Sequence, residues 1–317
     1  MEKPAAYPVF DSHVDLLFDL IRHHPDIPLE QASDAWVSPA KLADGGVRVV
    51  VSAFYCMDSF NGPATAADNL RYLLEYAEAN LRIPRTIRTA EDLDACYRGS
   101  AGPGKLLLLE NSDALLEFPP EGMKRRGFRV AGLTHADRNR IGDGNSVANP
   151  EGLSSRGREL VRELDSLGFA IDAAHLSDPC FREVAGLFSG PIISTHTGLR
   201  ALCDTPRNLS DEQVGVILSR GGMVGIAAYP GMLTIDGRAD ISHVFRHIDH
   251  VVQKYGPSGV GVGSDFGGYD TVCEGFEDHS RIPSLAALLV GAGYTDSAVR
   301  GIMGDNWYRF FVNLLKS

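Results

Sequence analysis

This 317-residue chain predicts a single (β/α)8 barrel of the TIM type, one α/β domain spanning residues 1–317. Three observations point there. Eight short strand-like runs recur along the whole length, and helical or loop segments fill the gaps between them. The runs are continuously apolar rather than alternating, which suits a parallel sheet buried on both faces. An open doubly wound sheet would bring a glycine-rich phosphate turn after an early strand, but the first run leads into Ser12-His13-Val14-Asp15. The nearest glycine series, Gly259, Gly261 and Gly263, has Phe266 where a third spaced glycine should fall.

In chain order, the strands are expected over residues 9–13, 47–54, 105–110, 130–134, 169–174, 191–195, 223–229 and 260–264. The second follows the Gly45-Gly46 turn, and the third is a run of four leucines after Gly102-Pro103-Gly104, too short for a helix. A helix over 66–81 places Leu70, Leu73, Leu74 and Ala77 on one face. Another over 154–167 aligns Leu160, Val161, Leu164 and Leu167 and stops at Gly168. Ser210 with Gln213 three residues on reads as a capping box. A helix over 240–255 stops at Gly256-Pro257. No composition shift or low-complexity linker marks a second domain.

Composition narrows the function classes. Net charge is −11, from 41 acidic against 30 basic residues, which argues against nucleic acid or an anionic membrane as partner. The main basic cluster, Lys124, Arg125 and Arg126 with Arg129, reads as a solvated helix end. No apolar run approaches the roughly 20 residues of a membrane helix, residues 1–8 lack a signal-peptide pattern, and residues 313–317 carry no anchor tail. Five widely spaced cysteines without a Cys-x-x-Cys pair read as reduced thiols, hence a cytoplasmic location.

The chemistry is suggested by what ends each strand. Strand one gives His13 and Asp15, strand three Glu110, strand four His135, strand five His175, strand six His196 and strand eight Asp265. In a barrel these ends open onto one face, where the active site is built. A lone His13 and Asp15 at a strand end would mean little; four of the ten histidines and three carboxylates at one mouth mean a metal site. Imidazoles and carboxylates without thiolates suit a hydrolytic metal, zinc most often. His13, His175, His196, Asp15 and Glu110 are too many for one tetrahedral catalytic ion and about right for two ions about 3.5–4 Å apart, bridged by a carboxylate and hydroxide. Asp265, not consumed as a ligand, could then carry a proton. There is no Gly-x-Ser-x-Gly elbow, Walker loop or His-Glu-x-x-His. His243, His247 and His250, at helical spacing beside Arg246, are expected on a helix surface.

At these residues the sequence resembles the membrane dipeptidase (renal dipeptidase) family, a (β/α)8 branch of the amidohydrolase-like metallohydrolases. The similarity covers nearly the whole chain. It is densest in 11–15, in 153–157 through 168–175, in 191–196, in 202–208 and in 260–266, with a weaker echo in 304–309. The His-x-Asp of His13 and Asp15 is discriminating, since most relatives in the superfamily carry His-x-His there. The resemblance implies two zinc ions per chain, one on His13 and Asp15, the other on His175 and His196, with Glu110 bridging. It assigns His135 to the scissile-bond oxygen, Arg207 to the substrate's C-terminal carboxylate, and Asp265 to acid/base work near the amine; Tyr229, ending strand seven, is a pocket wall. The implied activity is hydrolysis of dipeptides, including those with a D-residue at the C-terminal position, by a metal-bridging hydroxide. A homodimer is implied as well.

The rival readings are an N-acyl-D-amino-acid deacylase or lactonase on the same centre, and a non-catalytic barrel acting as a binding module. Departures from the family pattern bear on substrate choice rather than on metal. Glu110-Asn111-Ser112 stands where the family carries Glu-Gly-Gly or Glu-Gly-Ala, Asp265-Phe266-Gly267-Gly268 lacks one acidic residue, and the loop over 136–144 lacks the usual tryptophan. Arg138 and Arg140 in that loop are expected to favour an acidic substrate side chain or, equally, to be solvated.

Overall fold

The computed structural model describes residues 7–316. Eight parallel strands form a closed ring: β1 (Val9–Val14), β2 (Val47–Tyr55), β3 (Gly104–Glu110), β4 (Phe128–Gly132), β5 (Ala170–Asp172), β6 (Ile192–Thr197), β7 (Val224–Ile226) and β8 (Val260–Val262). Each pairs with the next, and Asp11 of β1 opposite Val262 of β8 closes the circle, leaving the ring without an exposed edge. A two-residue strand, Arg85–Thr86, adds to the start of β3 outside the ring. The expected barrel is therefore the observed one.

The alternation of side chains along the strands sorts the core into two layers. Val49, Val51 and Ala53 of β2 share one cluster with Phe10, Leu106, Leu108, Val130, Ala170 and Ile193. Val50 and Phe54, one residue out of phase, pack with Leu107, Leu109, Ala131 and Ile171 against the surrounding helices. The first cluster continues into the helix Asn306–Lys316, whose Trp307 and Phe311 are fully buried. Phe311 stacks on Phe10 at 5.3 Å between ring centroids, and a Cβ at Gly261 would stand 2.6 Å from the Trp307 ring. This helix plugs the end where the strands begin, so the open mouth lies where they finish.

Helices appear where periodicity places them: Thr65–Asn80, Ser155–Ser166, Asp211–Ser219 and Ile241–Tyr255. Ser154 caps its helix through the Gly157 N–H at 3.0 Å, and Ser210 with Gln213 forms the expected capping box. Strands β5, β7 and β8 are shorter than the apolar runs that encode them, ending at Asp172, Ile226 and Val262. The backbone leaves the ladder there to aim side chains into the mouth: His175 and Asp265 adopt φ 65° and 64°.

One expectation is corrected. Of the three histidines placed on a helix surface, His247 is 1% exposed. Its Nδ1 accepts the Leu199 N–H at 3.0 Å, so Nε2 carries the proton and donates to the Leu233 carbonyl at 3.2 Å. His243 instead joins a capping box with Asp240, and His250 pairs with Asp211 at 2.8 Å. All five cysteines are buried and unpaired. Among the described residues, no helix is long and apolar enough to cross a membrane.

Burial pushes the His247 imidazole down to about 4, below the roughly 6.5 of a free histidine. Between those values the unfolded chain binds a proton the folded one does not, so stability falls as pH drops from 6.5 towards 4. Urea unfolding at pH 5 should show about 2 kcal/mol less stability from this residue than at pH 7. That part of the pH dependence should vanish in His247→Gln; an unchanged pH dependence would contradict the assignment.

Candidate metal centre

Seven of the residues singled out by sequence converge at the barrel mouth. His13 lies within β1, and Asp15 follows it at the start of the helix Leu16–His23. Glu110 ends β3, His196 lies within β6, and His135, His175 and Asp265 lie three residues beyond β4, β5 and β8. Glu110 divides its carboxylate between two groups of imidazoles. Its Oε2 stands 3.7 Å from His13 Nε2, while Oε1 stands 3.2 Å from His175 Nε2 and 3.7 Å from His196 Nε2. His13 Nε2 also faces Asp15 Oδ2 at 3.4 Å and Asp265 Oδ1 at 3.9 Å. His175 and His196 present their Nε2 atoms to each other at 3.2 Å.

These separations fit a metal better than they fit hydrogen bonds. Two ligand atoms roughly 2.1 Å from one tetrahedral ion stand about 3.4 Å apart. His13 Nε2 is buried and has no hydrogen-bond partner among the described residues, and His13, Asp15 and Glu110 form one of the clusters able to hold an ion. The electrostatics agree. Burial alone would lower the His13 imidazole, yet Glu110 and Asp15 pull it up to about 10, so the site calls for positive charge at that atom. Burial raises Glu110, but His13 and His175 hold it below the ordinary carboxylate range. Burial, with Asp15 and Glu110, pushes Asp265 well above that range. Burial lowers both His175, helped by Arg207, and His196, helped by His13.

The backbone is strained in the same place. Asn111, His175 and Asp265 are the non-glycine residues at positive φ among those described, and all three border this cluster. Such conformations cost about 1–3 kcal/mol each and persist where the surroundings dictate them. Asn111, standing where the family carries glycine, takes φ 64° and is among the side chains that tolerate it. Its amide joins two loops, donating to the Cys56 carbonyl at 2.7 Å and accepting from Asn139 at 2.8 Å. Next to the second departure, the missing acidic residue at Gly267, a Cβ on Gly268 would stand 2.6 Å from both Asp15 Oδ2 and Asp265 Oδ1.

Around the cluster lies a cavity of about 420 Å³, with Phe18, Tyr55, Tyr229, Met232 and Tyr269 among its walls. Tyr229 is thus a lining residue and packs against Tyr269 at 5.1 Å between centroids. Arg207 reaches in from the loop after β6: its Nη2 stands 3.1 Å from His175 Nε2 and 3.3 Å from the His196 carbonyl, and its Nη1 is buried without a partner among the described residues. His135 Nδ1 stands 2.7 Å from Asp58 Oδ2 and 3.4 Å from the Tyr55 hydroxyl, with its ring 4.2 Å from that of His175. Sequence reasoning passed over Tyr55 and Asp58, which lie on and just beyond β2, because no motif marks them. Arg138 and Arg140 do not line the cavity. Arg138 pairs with Asp143, and Arg140 with Asp113 at 2.9 Å and Glu117 at 2.6 Å, so neither is left to meet a substrate carboxylate.

The model of the membrane dipeptidase family, peptidase family M19, matches residues 4–314. A solved dipeptidase, a metallopeptidase of family M19, superposes with a TM-score of 0.86 at 27% identity, covering 98% of each chain. A metallopeptidase from Rhodobacter sphaeroides, solved with a phosphinate mimic of the dipeptide L-Ala-D-Ala, gives 0.86 at 25% identity over 98% of this chain and 99% of that one. Human dipeptidase 3 is 31% identical over 163 residues, which is 51% of this chain and a third (33%) of that protein. The chain belongs to the membrane dipeptidase family, peptidase family M19, and is a metallopeptidase-type hydrolase acting on peptide bonds.

Proposed function

We propose that the protein is a zinc-dependent dipeptidase working with two zinc ions per chain. The observation that carries this reading is the divided carboxylate of Glu110, one oxygen turned to His13 and the other to His175 and His196. His13 and Asp15 would hold one ion, His175 and His196 the other, and Glu110 both. When bound, such a pair lowers the pKa of a water and polarises a carbonyl oxygen.

The remaining steps belong to side chains of the chain itself. Arg207, with its unpartnered Nη1, pairs with the C-terminal carboxylate and sets the depth of the dipeptide. His135, its Nδ1 occupied by Asp58 at 2.7 Å, offers Nε2 to the scissile-bond oxygen as negative charge develops there. Asp265, held above the ordinary carboxylate range, takes up a proton and delivers it to the leaving amine. The aromatic and methionine walls favour apolar substrate side chains, since Arg207 is the only arginine or lysine among the lining residues. The dipeptide mimic in the Rhodobacter relative, which ends in a D-residue, supports acceptance of L,D-dipeptides here. The five buried, unpaired thiols support a cytoplasmic location.

A hydrolysis screen of L,L- and L,D-dipeptides with and without chelator tests the reading. Hydrolysis is expected to stop on metal removal and return with zinc; activity that survives full removal would overturn it. Asp265→Asn is expected to keep its metal while kcat falls by about 10²–10⁴-fold; an undiminished kcat would refute the acid/base role. Gly268→Ala should displace Asp15 and Asp265 together, so metal content and kcat both drop while the circular-dichroism spectrum is retained.

A further inference from the structure

Behind the cluster, one hydroxyl serves two of its imidazoles. Thr195 on β6 is fully buried. Its Oγ1 stands 3.0 Å from Nδ1 of His13 and 3.1 Å from Nδ1 of His196, and it makes a very short hydrogen bond to Asp172 Oδ2. Asp172, at the end of β5 and 2% exposed, fixes its other oxygen by accepting the N–H groups of Thr195 at 2.9 Å and Ala174 at 3.0 Å. A hydroxyl has one proton to give and two lone pairs. With Asp172 ionised, a single arrangement satisfies all three contacts: the hydroxyl donates to Asp172 and accepts an N–H from each imidazole. Both Nδ1 atoms then carry hydrogen, so the neutral form of each imidazole has its free lone pair on Nε2, the atom that faces Glu110.

We propose that Thr195 and Asp172 are positioning residues that fix, through one shared hydroxyl, the metal-binding tautomer of His13 and His196, and so make the two halves of the centre bind metal interdependently. The inference rests on the two-ion reading above. A metal-binding histidine ordinarily donates its second N–H to an acceptor of its own. Here His13, on one side of Glu110, and His196, on the other, share theirs, with ring centroids 3.6 Å apart. His175 lies outside the arrangement, since its Nδ1 is buried without a partner among the described residues.

The test titrates metal-free protein with Zn2+ against a chromophoric chelator, which reads both dissociation constants. Proton spectra of the zinc-loaded protein in H2O read the Nδ1–H resonances of His13 and His196. Thr195→Val keeps the shape and removes the hydroxyl; it should weaken both ions, each by about 10–100-fold. Thr195→Ser should restore affinity to within a few-fold. Asp172→Asn separates the inference from simple loss of packing. Its carbonyl oxygen would keep the two backbone N–H groups, and its amide N–H would donate to Thr195. The hydroxyl proton would then fall to one imidazole Nδ1, leaving that ring protonated at Nε2 and one ion weakly held. The expected stoichiometry is one tight ion and a single Nδ1–H resonance. Wild-type affinity at both ions in Thr195→Val, loss at only one of them, or a Thr195→Ser as weak as Thr195→Val would overturn the shared role. If Thr195→Val does not fold, two tight ions in Asp172→Asn would do so. Failure of the wild-type protein to bind zinc at all would instead overturn the two-ion reading beneath it.

Discussion

Three carboxylates and three imidazoles crowd a largely dry space at the mouth of the barrel, and no arrangement of their own charges leaves them all satisfied. Glu110 is held ionised by neighbouring imidazoles, Asp265 is pushed towards its neutral form, and His13 is pulled towards a positive charge although its Nε2 has no hydrogen-bond partner among the described residues. Buried charges persist when they are paired or when they coordinate metal. The rest of the structure keeps these groups from drifting apart. Eight parallel ladders with no free edge fix the strand ends, and three residues accept left-handed backbone to turn the side chains inward.

The same demand explains why the site is drawn from so many strands. A single helix or hairpin would offer ligands at one spacing, and its side chains could relax into solvent. Side chains taken from β1, β3 and β6 and from the loop after β5 are each anchored by a different part of the core, so the cluster cannot spread without breaking the barrel. Behind it, Thr195 and Asp172 stand on neighbouring strands and are tied to each other through both backbone and side chain. The electrostatic tension is thus carried by covalently distant elements held rigid by shared hydrogen bonds.

Much of this was legible in the sequence, and the reason is physical. A strand buried on both faces must be apolar throughout, so β1 to β8 announce themselves, and a residue breaking that pattern at a strand end must have a task. Glu110 after four leucines and His196 after Ile192-Ile193-Ser194-Thr195 are of that kind. The partners that tune them were not legible. Thr195 is an ordinary strand residue, Asp58 opens the short 3-10 helix Asp58–Phe60, and which acidic residue would neutralise Arg138 or Arg140 depends on how loops fold back. His247 misled for a related reason: helical spacing shows which face a residue shares, but a carbonyl such as that of Leu233 is invisible until the neighbouring turn is placed.

Phe10 and Phe311 lie face to face beneath the centre, three residues from His13 in one direction and almost the whole length of the chain away in the other. During synthesis the first strand precedes Phe311, the aromatic residue that seats it, by about 300 residues, a delay of roughly 15–60 s at ordinary elongation rates. Until then His13 and Asp15 lack their plug, and their partner β8, Val260–Val262, is itself made late. The last side chains of the cluster to be translated are therefore not the last to be fixed. Assembly of the cluster waits for the ring to close, so a metal site is complete only after β8 and its aromatic plug have been made, not when its first side chains appear.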